Sequence, residues 1–216
     1  MINELLKQKV WDESCNEKFF QYLKDFSNEE KCEIIYQVMP LILKKRDEVS
    51  IASAEIILIC ATQQYFDVEY THYKALVYYR LGEFYECYKE NFIKAYTYYK
   101  KYELNNTEFD GVHSILLRVL LLRDNFTYSE EMEKELNLSY GETDLGLRKD
   151  RLYENIGTLI MAQRNNDEKT AETMKKRIIS IVKADKYFFV DLVFRKDATP
   201  DYLNTPEVLI NYVKSL

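Results

Sequence analysis

The 216-residue sequence predicts an all-α fold, and three observations carry that expectation. Average usage would give a chain of this length roughly fifteen glycines and ten prolines; this one has five and three. Sheets need glycine for left-handed turns and close approaches, so the scarcity points to long helices joined by Asn-, Asp- and Ser-containing loops. Helix-start signatures recur, and apolar residues return at three- and four-residue steps rather than at two.

Ser27-Asn-Glu-Glu30 has the form of a capping box, in which serine and glutamate satisfy each other's end amides. It predicts a helix from Asn28 to about Lys45, kinked or split at Pro40. The next run, SIASAEIILICATQQ to Gln64, is apolar on nearly every face, which predicts a deeply buried helix at the centre of the core.

A helix pair is expected around Gly82, Glu69 to Leu81 and Phe84 to Leu104, with Tyr85, Tyr88, Phe92, Tyr96 and Tyr99 as one stripe of the second helix. Thr107-Glu-Phe-Asp110 is expected to cap a helix containing SILLRVLLLR, and Thr127-Tyr-Ser-Glu130 to open a shorter acidic helix to about Asn137. Helices from Asp144 to Arg164 and onward to about Lys183 are expected to flank a turn at Asn165-Asn166-Asp167. YFFVDLVF, positions 187–194, is read as helix because a lone strand would have nothing to pair with. Thr199-Pro200 and Thr205-Pro206 each place a capping residue before proline, the second opening a closing helix to Leu216.

The chain is expected to form a single domain, with a possible division into 1–138 and 144–216 around a Ser139–Thr143 linker. Turns at Gly82, Asn125 and Asn166 would lie 43 and 41 residues apart. That spacing suits stacked antiparallel helical hairpins; the alternative is a non-repetitive helical bundle.

Composition narrows the function classes. A net charge of -6 and a pI near 5.2 leave no basic excess to neutralise phosphates, so nucleic acid is not the expected partner. The N-terminal MINELLKQKVW lacks the apolar core of a signal peptide, and the longest apolar runs are too short for a bilayer, so a cytoplasmic protein without a membrane partner is expected. Cys15, Cys32, Cys60 and Cys87 are scattered without a CxxC, which suits reduced thiols packed as small apolar residues. Eleven of the nineteen tyrosines lie between Tyr65 and Tyr102. A tyrosine ring with a polar tip serves both interhelical packing and a binding groove, and packing is the expected role.

Residues 75–87, ALVYYRLGEFYEC, resemble the middle of a tetratricopeptide repeat: Ala75, Tyr78, Gly82, Phe84 and Cys87 stand at the spacing of that pattern's small, aromatic, turn, aromatic and small positions. Thr71, Asn91 and Lys94 depart from it, and no proline closes the unit. The resemblance covers about a sixth of the chain. It implies an α-solenoid, tetratricopeptide-like, whose first helices line a concave face that binds another protein or a peptide. Under it Glu69, His72, Leu76, Tyr79 and Arg80 would face the groove, with Tyr79 and Arg80 as anchors; the alternative is an ordinary solvated helix face.

Two carboxylate–histidine pairs, Glu69-x-x-His72 and Asp110-x-x-His113, hold the chain's only histidines. Di-iron bundles use two such pairs with two further glutamates, but no such glutamates stand out here, and surface pairs that stabilise their helices are the expected reading. Neither metal nor other cofactor is therefore expected. There is no glycine-rich phosphate loop, no GxSxG and no HExxH, so no catalytic residues are assigned and an enzyme is not expected. Arg118 and Arg123, set within SILLRVLLLR, are expected to snorkel or to pair with carboxylates such as those of Glu130 to Glu135. The expected function is a protein-binding scaffold or adaptor. The alternative is a stoichiometric inhibitor of a toxin or effector, of the immunity or antitoxin type, and a metal-dependent helical oxidase is a more remote one.

Overall fold

The computed structural model describes residues 2–66, 72–105, 112–141 and 148–184. The expectations for the Thr107–Asp110 cap, for positions 142–147, for YFFVDLVF and for the two Thr-Pro starts lie outside them. The fold is all-α: every regular element among the described residues is a helix. In order these are α1 (Ile2–Leu6), α2 (Glu13–Leu23), α3 (Asn28–Leu43), α4 (Glu48–Gln64), α5 (His72–Cys87), α6 (Phe92–Asn105), α7 (Val112–Arg123), α8 (Glu130–Ser139), α9 (Arg148–Arg164) and α10 (Glu168–Ala184). None of these helices is long and apolar enough to cross a membrane.

The chain divides into two compact units. One comprises Met1–Tyr88 with Thr97–Thr107, and the other Lys89–Tyr96 with Glu108–Leu216.

In the first unit, α3, α4 and α5 pack on one another and α2 packs on α4. The starts of α2, α3 and α4 each have a side-chain acceptor for their orphan amides. Asp12 accepts from the Cys15 N–H at 3.0 Å and Asp47 from the Ser50 N–H at 2.8 Å, while Ser27 and Glu30 form the reciprocal capping box. α3 is not split at Pro40: it continues through the proline, which lies in its last turn, to Leu43. The core holds Trp11, Phe19, Ile35, Ile57 and Leu81. Trp11 is fixed at both ends of its residue: its backbone N–H donates to Ser50 Oγ at 2.8 Å and its indole N–H to Asn16 Oδ1 at 2.7 Å.

Two expectations for this unit are corrected. Gly82 is not a turn. α5 runs unbroken through it from His72 to Cys87, and the chain reverses at Tyr88–Asn91, where Glu90 takes a left-handed backbone with φ 48° and the Asn91 side chain accepts the Lys94 N–H at 3.1 Å to start α6. The glycine serves a close approach instead: a Cβ at position 82 would stand 2.6 Å from Cδ1 of Tyr99. The supposed stripe Tyr85, Tyr88, Phe92, Tyr96, Tyr99 is therefore shared among α5, the turn and α6, and the near-regular interval between turns disappears.

α4, likewise, is not buried on every side. Ser50, Ala54, Ile57, Leu58 and Ala61 face the core, but Val49, Ala52, Ile56 and Gln63 are exposed. A helix apolar all round gives no periodic signal of which side its neighbours will cover.

In the second unit, α7 packs on α8 and α9, α8 on α9, and α9 on α10. Leu117, Leu121, Met132, Leu136, Ile156 and Ile178 are among its core. Left-handed Asn125 and Phe126 end α7 in a Schellman arrangement, with the Phe126 N–H on the Leu121 carbonyl at 2.7 Å and Asn125 N–H on Leu122 at 3.4 Å. Asn166 repeats the device after α9, with the Asp167 N–H on Ala162 at 2.8 Å. Both asparagine turns stand where the sequence places them. The cap of α8 is Ser129, not Thr127: the Ser129 hydroxyl accepts the Met132 N–H, and Thr127 bonds back to the Asp124 carbonyl.

Candidate functional site

The residues expected to line a groove sit on the first two turns of α5, except Glu69, which lies outside the described residues. His72 is exposed, with its ring edge-on to Tyr73 at 5.5 Å. Leu76 and Tyr79 are half-buried, and the Tyr79 ring packs edge-to-face on Tyr99 at 5.6 Å and Tyr102 at 5.3 Å. Arg80 is 8% exposed, its guanidinium 4.1 Å over the Tyr36 ring and paired with Glu83. The α5 positions thus hold tyrosine and arginine contacts within the first unit.

Tyrosines tie α4, α5 and α6 together. The Tyr85 and Tyr98 rings are stacked at 5.5 Å and 3°, and Tyr98 also stacks on Tyr78 at 6.3 Å. Lys101 lies over Tyr78 and Tyr98 at 5.5 and 5.4 Å. Tyr85 donates its hydroxyl to Glu55 Oε1 at 2.7 Å, which fixes a carboxylate at the edge of α4. Burial, and then this bond to a carboxylate, push the Tyr85 hydroxyl above its ordinary pKa.

Beside Glu55 lies the open face of α4. Val49 is 50% and Ile56 53% exposed, Ala52 and Gln63 are exposed, and Ile59 is half-buried. The steps 49, 52, 56, 59, 63 alternate three and four, so these side chains form one stripe along the helix. Across the fourteen residue steps from 49 to 63 it runs about 21 Å. Glu48 and Glu55 border it, and α4 carries no lysine or arginine. Sequence reasoning missed this face, though the absence of any cation from a seventeen-residue helix was visible in the sequence.

Of the two carboxylate–histidine pairs, Glu69 and Asp110 lie outside the described residues. His113 Nδ1 meets Glu135 Oε2 of α8 at 2.7 Å, in the second unit, where Glu135 is 1% exposed. A partner 22 residues away was not legible from an i, i+3 pattern. Among the described residues, no three His, Cys, Asp or Glu side chains stand where one ion could bind them. Arg118 is buried, and Arg123 forks onto Asp124 at 2.6 and 2.8 Å while reaching Glu131 of α8 at 2.6 Å, the pairing with the acidic helix that the sequence suggests.

Fold and surface together define an all-α protein whose first unit carries an uncovered apolar helix face. No protein-family model, curated protein or solved structure matches the chain.

Proposed function

We propose that the chain is a protein-binding scaffold or adaptor, and that it engages its partner through the open face of α4 rather than through the first turns of α5. The observation that supports this is the stripe Val49–Ala52–Ile56–Ile59 on the exposed side of a helix whose opposite side, Ser50, Ala54, Ile57, Leu58 and Ala61, is buried. Contiguous exposed apolar surface marks interaction sites. Covering the open half of each Val or Ile side chain contributes roughly 1 kcal/mol. The α5 positions are less suited to the role, since Tyr79 and Arg80 already pack on Tyr99, Tyr102 and Tyr36. The acidic balance of the chain favours a protein over a nucleic acid as partner, and the missing phosphate loop, nucleophile elbow and zinc motif favour binding over catalysis.

Site-specific photocross-linking in the source cell tests the reading. A photoreactive residue at position 56 should give a discrete adduct with another protein, and one at exposed Glu172 on α10 should not. No adduct at 56, or equal adducts at both positions, would contradict it. A single partner whose own activity stops on binding would identify the adaptor as an inhibitor.

A further inference from the structure

Resting on that reading, we infer that the partner presents an amphipathic helix whose apolar stripe is bordered by lysine or arginine, and that this helix lies along α4 from Val49 to Gln63.

The spacing of the face is that of a two-helix seam. Val49, Ile56 and Gln63 repeat at seven residues, with Ala52 and Ile59 between them, which are the a and d positions of a heptad. Val and Ile supply stiff branched knobs at a, and Ala52 at d lets a facing backbone approach closely. In that register Glu48, Glu55 and Thr62 take the g positions on the open border, while of the e positions on the other border Cys60 is half-buried and Ser53 is buried. These flanking positions set partner choice. Here the charged ones are both carboxylates, and Glu55 is held in place by the Tyr85 hydroxyl.

This charge pattern selects against a second copy of the chain. Antiparallel pairing of two α4 helices would bring g against g, setting Glu48 and Glu55 of one copy against Glu55 and Glu48 of the other. Parallel pairing would set Glu55 against Cys60 and Glu48 against Ser53, with no ion pair gained. A helix with lysine or arginine at its flanks meets both carboxylates in either direction.

The test uses the full chain and two fluorescent 21-residue peptides, each with Leu at a and d, one with Lys at e and g and the other with Glu there, followed by anisotropy. The Lys peptide should bind at least about tenfold tighter than the Glu peptide, with a preference that shrinks as salt is raised. Ile56→Asn, at an exposed position that leaves the circular dichroism unchanged, should weaken it at least about tenfold, and Glu48→Lys should narrow the preference between the peptides. Equal binding of the two peptides, indifference to Ile56→Asn, or a sedimenting dimer that Ile56→Asn dissociates would overturn the inference. A position-56 cross-link to a partner segment that is not helical or bears no cation would overturn it too, while leaving protein binding intact. Absence of both cross-link and peptide binding would overturn both.

Discussion

The Tyr99 ring of α6 lies so close to Gly82 of α5 that a methyl group at position 82 would stand 2.6 Å from ring carbons Cδ1 and Cε1. The ring is fully buried and its hydroxyl donates to Glu86 Oε2 at 2.8 Å, so it spans one turn of α5 from glycine to glutamate. Gly82→Ala gains about 1 kcal/mol of helix propensity but forces the ring aside, an overpacking that costs about 1–3 kcal/mol. The expected net result is a loss of up to about 2 kcal/mol in urea unfolding. Gly157→Ala is the control: its methyl would meet the flexible ends of Leu136 and Met132 at 3.2 and 3.5 Å, and its change should stay within about 1 kcal/mol.

The turn displaced from Gly82 is now a residue with a measurable cost. Glu90 holds φ at 48° with a side chain that gains nothing from that backbone region. Glu90→Gly should stabilise the chain by about 0.5–1 kcal/mol in equilibrium unfolding. An unchanged or lower stability would show that the reversal does not depend on a left-handed residue at 90.

Ser50 joins the start of α4 to the segment before α2, since its hydroxyl accepts the Trp11 backbone N–H and donates to Asp47 Oδ2 at 2.6 Å. Ser50→Ala strands a buried amide, at a cost of about 1–3 kcal/mol, and should expose Trp11 fluorescence to quenching at lower denaturant than in the parent.

The capping carboxylates predict an acid-sensitive fold. Asp12, Glu30, Asp47 and Asp167 are all held below the usual carboxylate range by hydrogen bonds at helix starts, chiefly from the Cys15 amide, the Ser27 amide, the Ser50 hydroxyl and Thr170 respectively, and Asp124 by the Arg123 guanidinium. A carboxyl with a lowered folded pKa contributes stability that is complete above its unfolded pKa near about 4 and is lost as pH falls below it. The urea midpoint should therefore drop from about pH 5 to pH 3, and Asp47→Asn should flatten that drop. A midpoint that rises on acidification would contradict the assignment.

The local signals were the legible part of the fold. Ser27 and Glu30 announce α3, and Asn125 and Asn166 announce two reversals, because caps and left-handed asparagines act through bonds within a few residues. Gly82 misled because glycine serves both turns and close approaches, and only the position of Tyr99, seventeen residues on, decides between them. Asn91 offered the better turn signal. The open side of α4 was illegible for a related reason: the sequence states that the helix is apolar all round, and the placement of α2, α3 and α5 determines which sides are covered. His113 likewise found its carboxylate on another helix.

The register of α4 is the point on which the binding face stands, and paired aspartate substitutions at neighbouring positions probe it most directly. Urea unfolding of Ile56→Asp should stay within about 0.5 kcal/mol of the parent, as for other exposed sites. Ile57→Asp, which places a charge at a fully buried position, should cost more than about 4 kcal/mol or abolish folding. If Ile56→Asp proves as damaging as Ile57→Asp, the side of α4 assigned to a partner is already covered, and the account of the surface is wrong.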